Sequence, residues 1–304
     1  MHLYLPIAGL SVNALVIVLL GCGVGVLSGM FGVGGGFLTT PLLIFYGIPP
    51  SVAVASSATQ ITGSGVSGVL AHGRRGGVDY RMGGVLVAGG ALGSIAGAFV
   101  FRSLQRIGQI DTVVSLLYVG LLGWIGLTMA RDAIGSIVAD RRGQPAPQTI
   151  RRHRRLVAAL PLRWRFYGAG LYVSPLAPAL LGFVAGVLTV LMGVSGGFIV
   201  VPALIYLLGV STRVVVGTSL FQGVFVSAAT TLVQAVTSHA VDIVLAGLLL
   251  LGSVIGAQIG ARLVQRVRAD HARALLATIV LAIAVRMGLG LGWRPDEIYT
   301  LQAL

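Results

Sequence analysis

Two copies of a glycine-rich signature are the first place in this chain where chemistry could sit. Gly32-Val33-Gly34-Gly35-Gly36-Phe37 with Pro41 reappears as Gly193-Val194-Ser195-Gly196-Gly197-Phe198 with Pro202, at a constant offset of 161. Glycine in an apolar run either lets helices approach closely or lets the backbone leave the helix and turn N–H groups toward a ligand. A helix that restarts after such a break presents orphan donors and the positive end of its dipole, which suits an anion. Gly34, Gly35, Gly36, Ser195, Gly196 and Gly197 are therefore candidate substrate-binding residues. Tight packing is the competing reading, and the 45 glycines spread along the chain give it weight. A dinucleotide-binding turn is discarded, since no strand precedes the motif and no acidic residue follows about 20 positions later.

A second constellation is polar and also doubled. Ser56, Ser57, Thr59 and Gln60 lie in an apolar stretch and are matched by Thr218, Ser219 and Gln222. Hydroxyls and amides at membrane depth are costly unless paired, so they bond to neighbouring helices or await a polar substrate. A long neutral amide beside hydroxyls can donate to an oxyanion without adding charge, which makes Ser57, Gln60, Ser219 and Gln222 candidate substrate-binding residues. No Asp or Glu sits in the middle of a span; Asp79, Asp111 and Asp242 fall in short loops, where a solvated role is expected. Arg286 is the one strongly embedded charge, either a counter-charge for an anion or a side chain that snorkels to the interface. His72, His239 and the other histidines lack metal-ligand spacing, and no hydrolase triad can be assembled. An enzyme with a nucleophile, metal or cofactor is thus the least supported class.

The elements that must carry these residues follow from composition. Of 304 residues, 56% are hydrophobic and 10% charged, with a mean hydropathy of +0.96. Runs such as Val12 to Met30, Val85 to Val100, Val113 to Ala130 and Ala274 to Leu291 approach the roughly 20 residues that a helix needs to cross about 30 Å of hydrocarbon. The first run has no basic residue before it and no small-residue cleavage site after it, so it is expected to be a retained span rather than a signal peptide. The single Cys22 excludes a disulfide framework. All 21 basic residues are Arg, for a net charge of +13, and they concentrate between the spans. Retention of Arg in cytoplasmic loops explains that placement better than nucleic-acid binding does.

The doubling extends beyond the glycine motif. Gly25-Val26-Leu27 returns as Gly186-Val187-Leu188, Val78-Asp79 as Val241-Asp242, and Gly89, Gly93 and Gly97 as Gly252, Gly256 and Gly260. The expected organisation is a first transmembrane repeat at 8–130, an Arg-rich cytoplasmic linker at 131–167, a second repeat at 168–292 and a C-terminal tail at 293–304. Between Arg131 and Arg165 the linker carries nine Arg against Asp132 and Asp140. Basic loops at His72 to Arg81 and at Arg262 to Arg273 occupy non-equivalent places in the two halves. If both face the cytoplasm, equivalent loops lie on opposite faces, the pattern of an inverted repeat with five segments per half. Phe37 to Tyr46 would reach only half-way across and reads as a half-helix. The fold class expected is an all-α polytopic membrane protein of two homologous, inverted halves, with about eight full spans plus short broken or re-entrant helices. Four conventional spans per half would make the repeats parallel, and hydropathy leaves that open. The glycines at 89, 93, 97, 252, 256 and 260 could form a helix seam, within one protomer or between the two of a homodimer.

Gly25-Val26-Leu27-Ser28-Gly29-Met30-Phe31-Gly32-Val33-Gly34-Gly35-Gly36-Phe37 with Pro41, then Ala55-Ser56-Ser57, resembles the TauE/SafE family of membrane transporters. The repeated Gly193 to Phe198 with Pro202, and Gly217-Thr218-Ser219, carry the same resemblance. It implies transport of small sulfur-containing anions, such as sulfite or organosulfonates, across a bacterial-type inner membrane. With the inside negative, outward movement of one negative charge is favoured by about 2.3 kcal/mol per 100 mV, so export needs no intramembrane proton relay. The expectation is therefore an alternating-access exporter whose partners are its anion and the bilayer, with no nucleic acid and no cofactor; an anion channel or an uptake carrier is the alternative.

Overall fold

The computed structural model describes residues 2–31, 34–73, 76–141, 164–166, 168–238, 240–263 and 269–292. Most of the linker from 142 to 163, the tail at 293–304, Gly32, Val33, Arg74, Arg75, His239 and 264–268 lie outside the described residues.

Each half opens with a small antiparallel hairpin, a departure from the all-α expectation. Strands β1 (His2–Leu5) and β2 (Leu10–Asn13) pair in the first half, and β3 (Trp164–Phe166) and β4 (Leu171–Val173) in the second. Leu5 and Phe166, one repeat offset apart, are both fully buried beneath their hairpins. The alternation that marks a strand is too short here to stand out from the apolar run that follows, so both first spans begin later than their hydropathy implies. Helix α1 is Ala14–Phe31 and its counterpart α6 is Leu176–Met192.

Among the described residues, five helices then fill each half. After α1 come α2 (Gly36–Phe45), α3 (Pro50–Gly73), α4 (Tyr80–Ile107) and α5 (Ile110–Arg141). After α6 come α7 (Gly197–Ala203), continued by a π-helical turn at Leu204–Leu208, then α8 (Thr212–Thr237), α9 (Ile243–Leu263) and α10 (Ala269–Gly292). Tyr80–Ile107, Ile110–Arg131, Val214–Thr237 and Ile243–Gly260 are long and apolar enough to cross a membrane. Ala14–Met30, Leu176–Met192 and Ala274–Gly290 are shorter apolar helices, close to the lower limit of about 17 residues for a span. Helix α3 has the length but spends it on Ser56, Ser57, Thr59, Gln60, Thr62, Ser64 and Ser67. Helix α5 continues to Arg141, past the end of the first repeat read from hydropathy.

The halves interlock through glycine. A Cβ built on Gly89, Gly93 or Gly182 would come within 2.2 Å of the carbonyl oxygens of Ala179, Phe183 and Leu86 respectively, so α4 and α6 lie backbone to backbone. The same contact recurs between α9 and α1, where Gly252, Gly256 and Gly260 face the carbonyls of Val18, Cys22 and Val26 at 2.1 Å. The seam therefore lies within one protomer, each half lending one helix to the other. In both seams the contacting residue numbers rise together, so the helices run parallel. The counterparts α3 and α8 instead run antiparallel, because Thr59, Gly65 and Gly68 meet Thr231, Val224 and Leu220 in reverse order. Counterparts α5 and α10 do likewise, with Gly126 against Leu281 and Gly288 against Val119.

Polar locks secure the exchange. Asp79, expected to be solvated, is 4% exposed and Asp242 is 1% exposed. Each Oδ1 accepts the N–H groups of the first turn of the next helix: Arg81 and Met82 for Asp79, Val244 and Leu245 for Asp242. Each Oδ2 accepts an N–H from a hairpin region, Ala169 for Asp79 and Ile7 for Asp242. Their own N–H groups donate to hydroxyls of the opposite half, Asp79 to Thr218 and Asp242 to Ser56. Converging N–H groups satisfy a buried carboxylate, which is why a place in a short loop does not make these two solvated. Asp79→Ala is expected to lower stability by about 2 kcal/mol by orphaning three donors, with a fall in the detergent melting temperature; Asp111→Ala, on an exposed first turn, should leave it unchanged.

Candidate functional site

The two broken segments meet at the centre. Phe37 and Phe198, one offset apart and each the second residue of its short helix, stack with ring centroids 4.5 Å apart and an interplanar angle of 8°. They sit in the largest apolar cluster, with Leu38, Val54, Phe101 and Tyr118 among its buried members. The breaks themselves require glycine: Gly34 at φ +75° and Gly193 at φ +65° occupy the left-handed region. A Cβ on Gly34 would lie 2.5 Å from Ser195 Oγ, and one on Gly36 would lie 2.6 Å from the Gly193 carbonyl oxygen. The end of α6 is held from outside its own half, since the Tyr118 hydroxyl of α5 donates to the Met192 carbonyl.

Beside this junction lies a cavity of about 170 Å³. Its inner end is formed by Gly34, Gly35, Gln60 and Ser195, which are four of the ten residues singled out from the sequence. Its walls are faces of α1, α3, α8 and α9, and along α3 it follows Gln60, Ser64, Ser67 and His72, one stripe of the helix. Gln60 is 1% exposed, yet neither Oε1 nor Nε2 has a hydrogen-bond partner. A Cβ on Gly35, the residue that precedes α2, would stand 3.6 Å from that Nε2. The start of α2, at Gly35, and an unpaired carboxamide thus share one small space.

The other expected residues are placed differently. Gln222 is fully buried with both amide atoms unpaired, but it presses on Gly196, where a Cβ would fall 2.5 Å from its Oε1, and it does not border the cavity. Ser57 and Ser219 are buried with unpaired hydroxyls, away from the cavity lining. Gly36 packs on Ile61 and Gly193, while the Gly197 N–H donates to Ser195 Oγ at 3.3 Å. Arg286 is exposed, its guanidinium carbon 5.7 Å from the Phe45 ring centroid, and it does not line the cavity. Sequence reading missed Ser28, Ser64, Ser67, His72, Ser253 and Gln258 in the lining. The helical spacing of Gln60, Ser64, Ser67 and His72 was the available signal.

Buried glycine seams, two broken helices beside a small cavity that holds a few polar groups, and a largely apolar exterior are those of a helical integral membrane protein. The chain belongs to the TauE/SafE family: the family described as "Sulfite exporter TauE/SafE" matches residues 17–287. It is similar to "Probable membrane transporter protein YjnA" of Bacillus subtilis, with 28% identity over 272 residues that cover 89% of this chain and 98% of that one. It is also similar to a "Probable membrane transporter protein" of Xylella fastidiosa strain 9a5c, with 30% identity over 276 residues, 88% of this chain and 93% of the relative. No solved structure matches the chain.

Proposed function

We propose that this protein exports a small sulfur oxyanion or organosulfonate across a bacterial-type inner membrane by alternating access. The observation that carries the reading is the buried, unpartnered carboxamide of Gln60 beside the start of α2 at the blind end of the cavity. A tetrahedral or pyramidal oxyanion would accept from Gln60 Nε2, from Ser195 Oγ and from the first N–H groups of α2, replacing the water it loses. All these donors are neutral. Neutral donors suit a cargo that must leave again, because a fixed cation at this depth would hold the anion too tightly to release it.

Several features favour the remaining parts of the reading. The antiparallel pairing of α3 with α8 and of α5 with α10 supports an inverted repeat, in which equivalent helices cross the bilayer in opposite directions. The family's description as a sulfite exporter favours sulfite among anions. Direction follows from charge, since an anion leaves a negative interior downhill without a coupling carboxylate. A channel with the same elements is the second reading, and saturation separates the two.

The test is electrogenic flux in proteoliposomes with sulfite, sulfoacetate or acetate under an imposed potential, with labelled taurine, a zwitterion of no net charge at neutral pH, followed by uptake instead. A saturable current with one of the anions, reduced at least about tenfold in a Gln60→Ala plus Gln222→Ala variant, is the expected result for the loss of hydrogen bonds to a charged group. A current that never saturates would replace the carrier by a channel. Current undiminished in the double variant would remove the proposed site.

A further inference from the structure

The cavity uses the two halves unequally, and the unequal half is informative. Its wall includes Ser28 of α1, Gln60, Ser64, Gly68 and His72 of α3, and Ser253 of α9. Carried across the repeat, these positions become Thr189 of α6, Gln222, Val226, Thr230 and Gln234 of α8, and Gly90 of α4. The second set is in close contact instead. A Cβ on Gly90 would fall 2.4 Å from Val226 Cγ2, Ser94 Oγ lies 3.5 Å from Thr230 Oγ1, and Gln234 Nε2 donates to the Val190 carbonyl at 2.8 Å.

This closed seam is not built like a permanent one. Both amide atoms of Gln222, the hydroxyl of Ser227 and Oε1 of Gln234 are buried in it or at its edge without a hydrogen-bond partner. Among the described residues, the seams of α1 with α9 and of α4 with α6 are made by glycine against backbone, and none of the unpartnered buried polar atoms lies on those four helices. A stripe of unsatisfied polar groups along one helix face is expected where water or cargo enters in another state. The glycine seams divide the moving parts: α1 with α9 is one tight pair and α4 with α6 another, and α3 with α8 lies between them. In the present state the α4–α6 pair is seated on α8, while the cavity separates part of the α1–α9 pair from α3, which α9 still touches where Leu250 meets Gly63.

We propose that Gln222, Val226, Thr230 and Gln234 line a second vestibule, shut in this state, which opens to the opposite membrane face as the first one shuts. This deepens the carrier reading and rests on it. Ser67 and His72 then border the path on one side, and Thr230 and Gln234 border it on the other.

The experiment uses the full chain with Cys22→Ala, carrying either Ser67→Cys or Thr230→Cys, in proteoliposomes of known orientation. A membrane-impermeant methanethiosulfonate is added from each side in turn. Ser67→Cys should react from one face, and Thr230→Cys from the opposite face, about tenfold or more slowly, as for a state populated at a tenth or less. Adding Ser64→Trp as a wedge in the open vestibule should slow Thr230→Cys by about a further tenfold while Ser67→Cys still reacts. Reaction of both cysteines from the same face, or no reaction of Thr230→Cys without the wedge, overturns the inference. Anion flux in the same vesicles keeps the two readings apart. Flux with a silent Thr230→Cys refutes the second vestibule and leaves the carrier; opposite-face reaction without flux upholds the vestibule and refutes the anion.

Discussion

Gly256→Leu is expected to abolish accumulation of folded protein, and Gly256→Ala to cost about 3 kcal/mol, the upper part of the range for overpacking. The reason is the 2.1 Å separation between a built Cβ and the Cys22 carbonyl oxygen, which is backbone and cannot rotate away. An ordinary contact needs about 1 Å more, and α1 and α9 would have to part along their whole length to provide it. Gly93→Leu, against the Phe183 carbonyl at 2.1 Å, should fail in the same way on the other seam. Gly84 and Gly123 have nothing within 4 Å of a built Cβ; Gly84→Ala and Gly123→Ala should stay within about 0.5 kcal/mol of the parent. Thermal melts in detergent measure the three alanine variants, and the monodisperse yield measures the two leucine ones. Equal melting of Gly256→Ala and Gly123→Ala would show that the interlocked seams do not hold the fold.

Gln60→Glu should reduce anion flux at neutral pH by at least about thirtyfold while the protein still folds. The substitution keeps shape and replaces a neutral donor by a carboxylate at a position 1% exposed. At about 4 Å from a bound anion, and at an effective dielectric near 20, like charges repel by about 4 kcal/mol. Even half of that exceeds a tenfold effect on occupancy. Gln222→Glu provides the contrast. Gln222 does not border the cavity in this state, so its carboxylate should disturb flux through the conformational change and leave binding from the open side closer to normal. Flux saturation curves from that side separate the two. If both variants raise the half-saturating concentration equally, the cavity's inner end is not where the anion rests.

Much of this architecture was legible beforehand because it is written twice. The offset between Phe37 and Phe198 located both short helices, and the order of Ser56, Gln60 and Asp79 against Thr218, Gln222 and Asp242 aligned α3 with α8. Repetition identifies equivalent residues; it says nothing about which of each pair faces a cavity. Gln60 and Gln222 were therefore indistinguishable in sequence, although one borders open space and the other is packed against Gly196. Asp79 and Asp242 were misread for a related reason: what buries them is the hairpin and hydroxyl of the opposite half, contacts of high sequence separation. The hairpins were missed because four-residue strands leave too few alternations to detect.

The exchange of helices between halves also sets a timetable for biosynthesis. The α4–α6 seam joins segments separated mainly by the linker, but α1 must wait for α9, which begins at Ile243. At about 5–20 residues per second the ribosome needs roughly 10–40 s to supply that partner. Throughout that interval the glycine face of α1 is bare, its carbonyls covered only by lipid or by an insertion factor. A nascent chain arrested before residue 243 should therefore be the most protease-sensitive species on the route to the membrane.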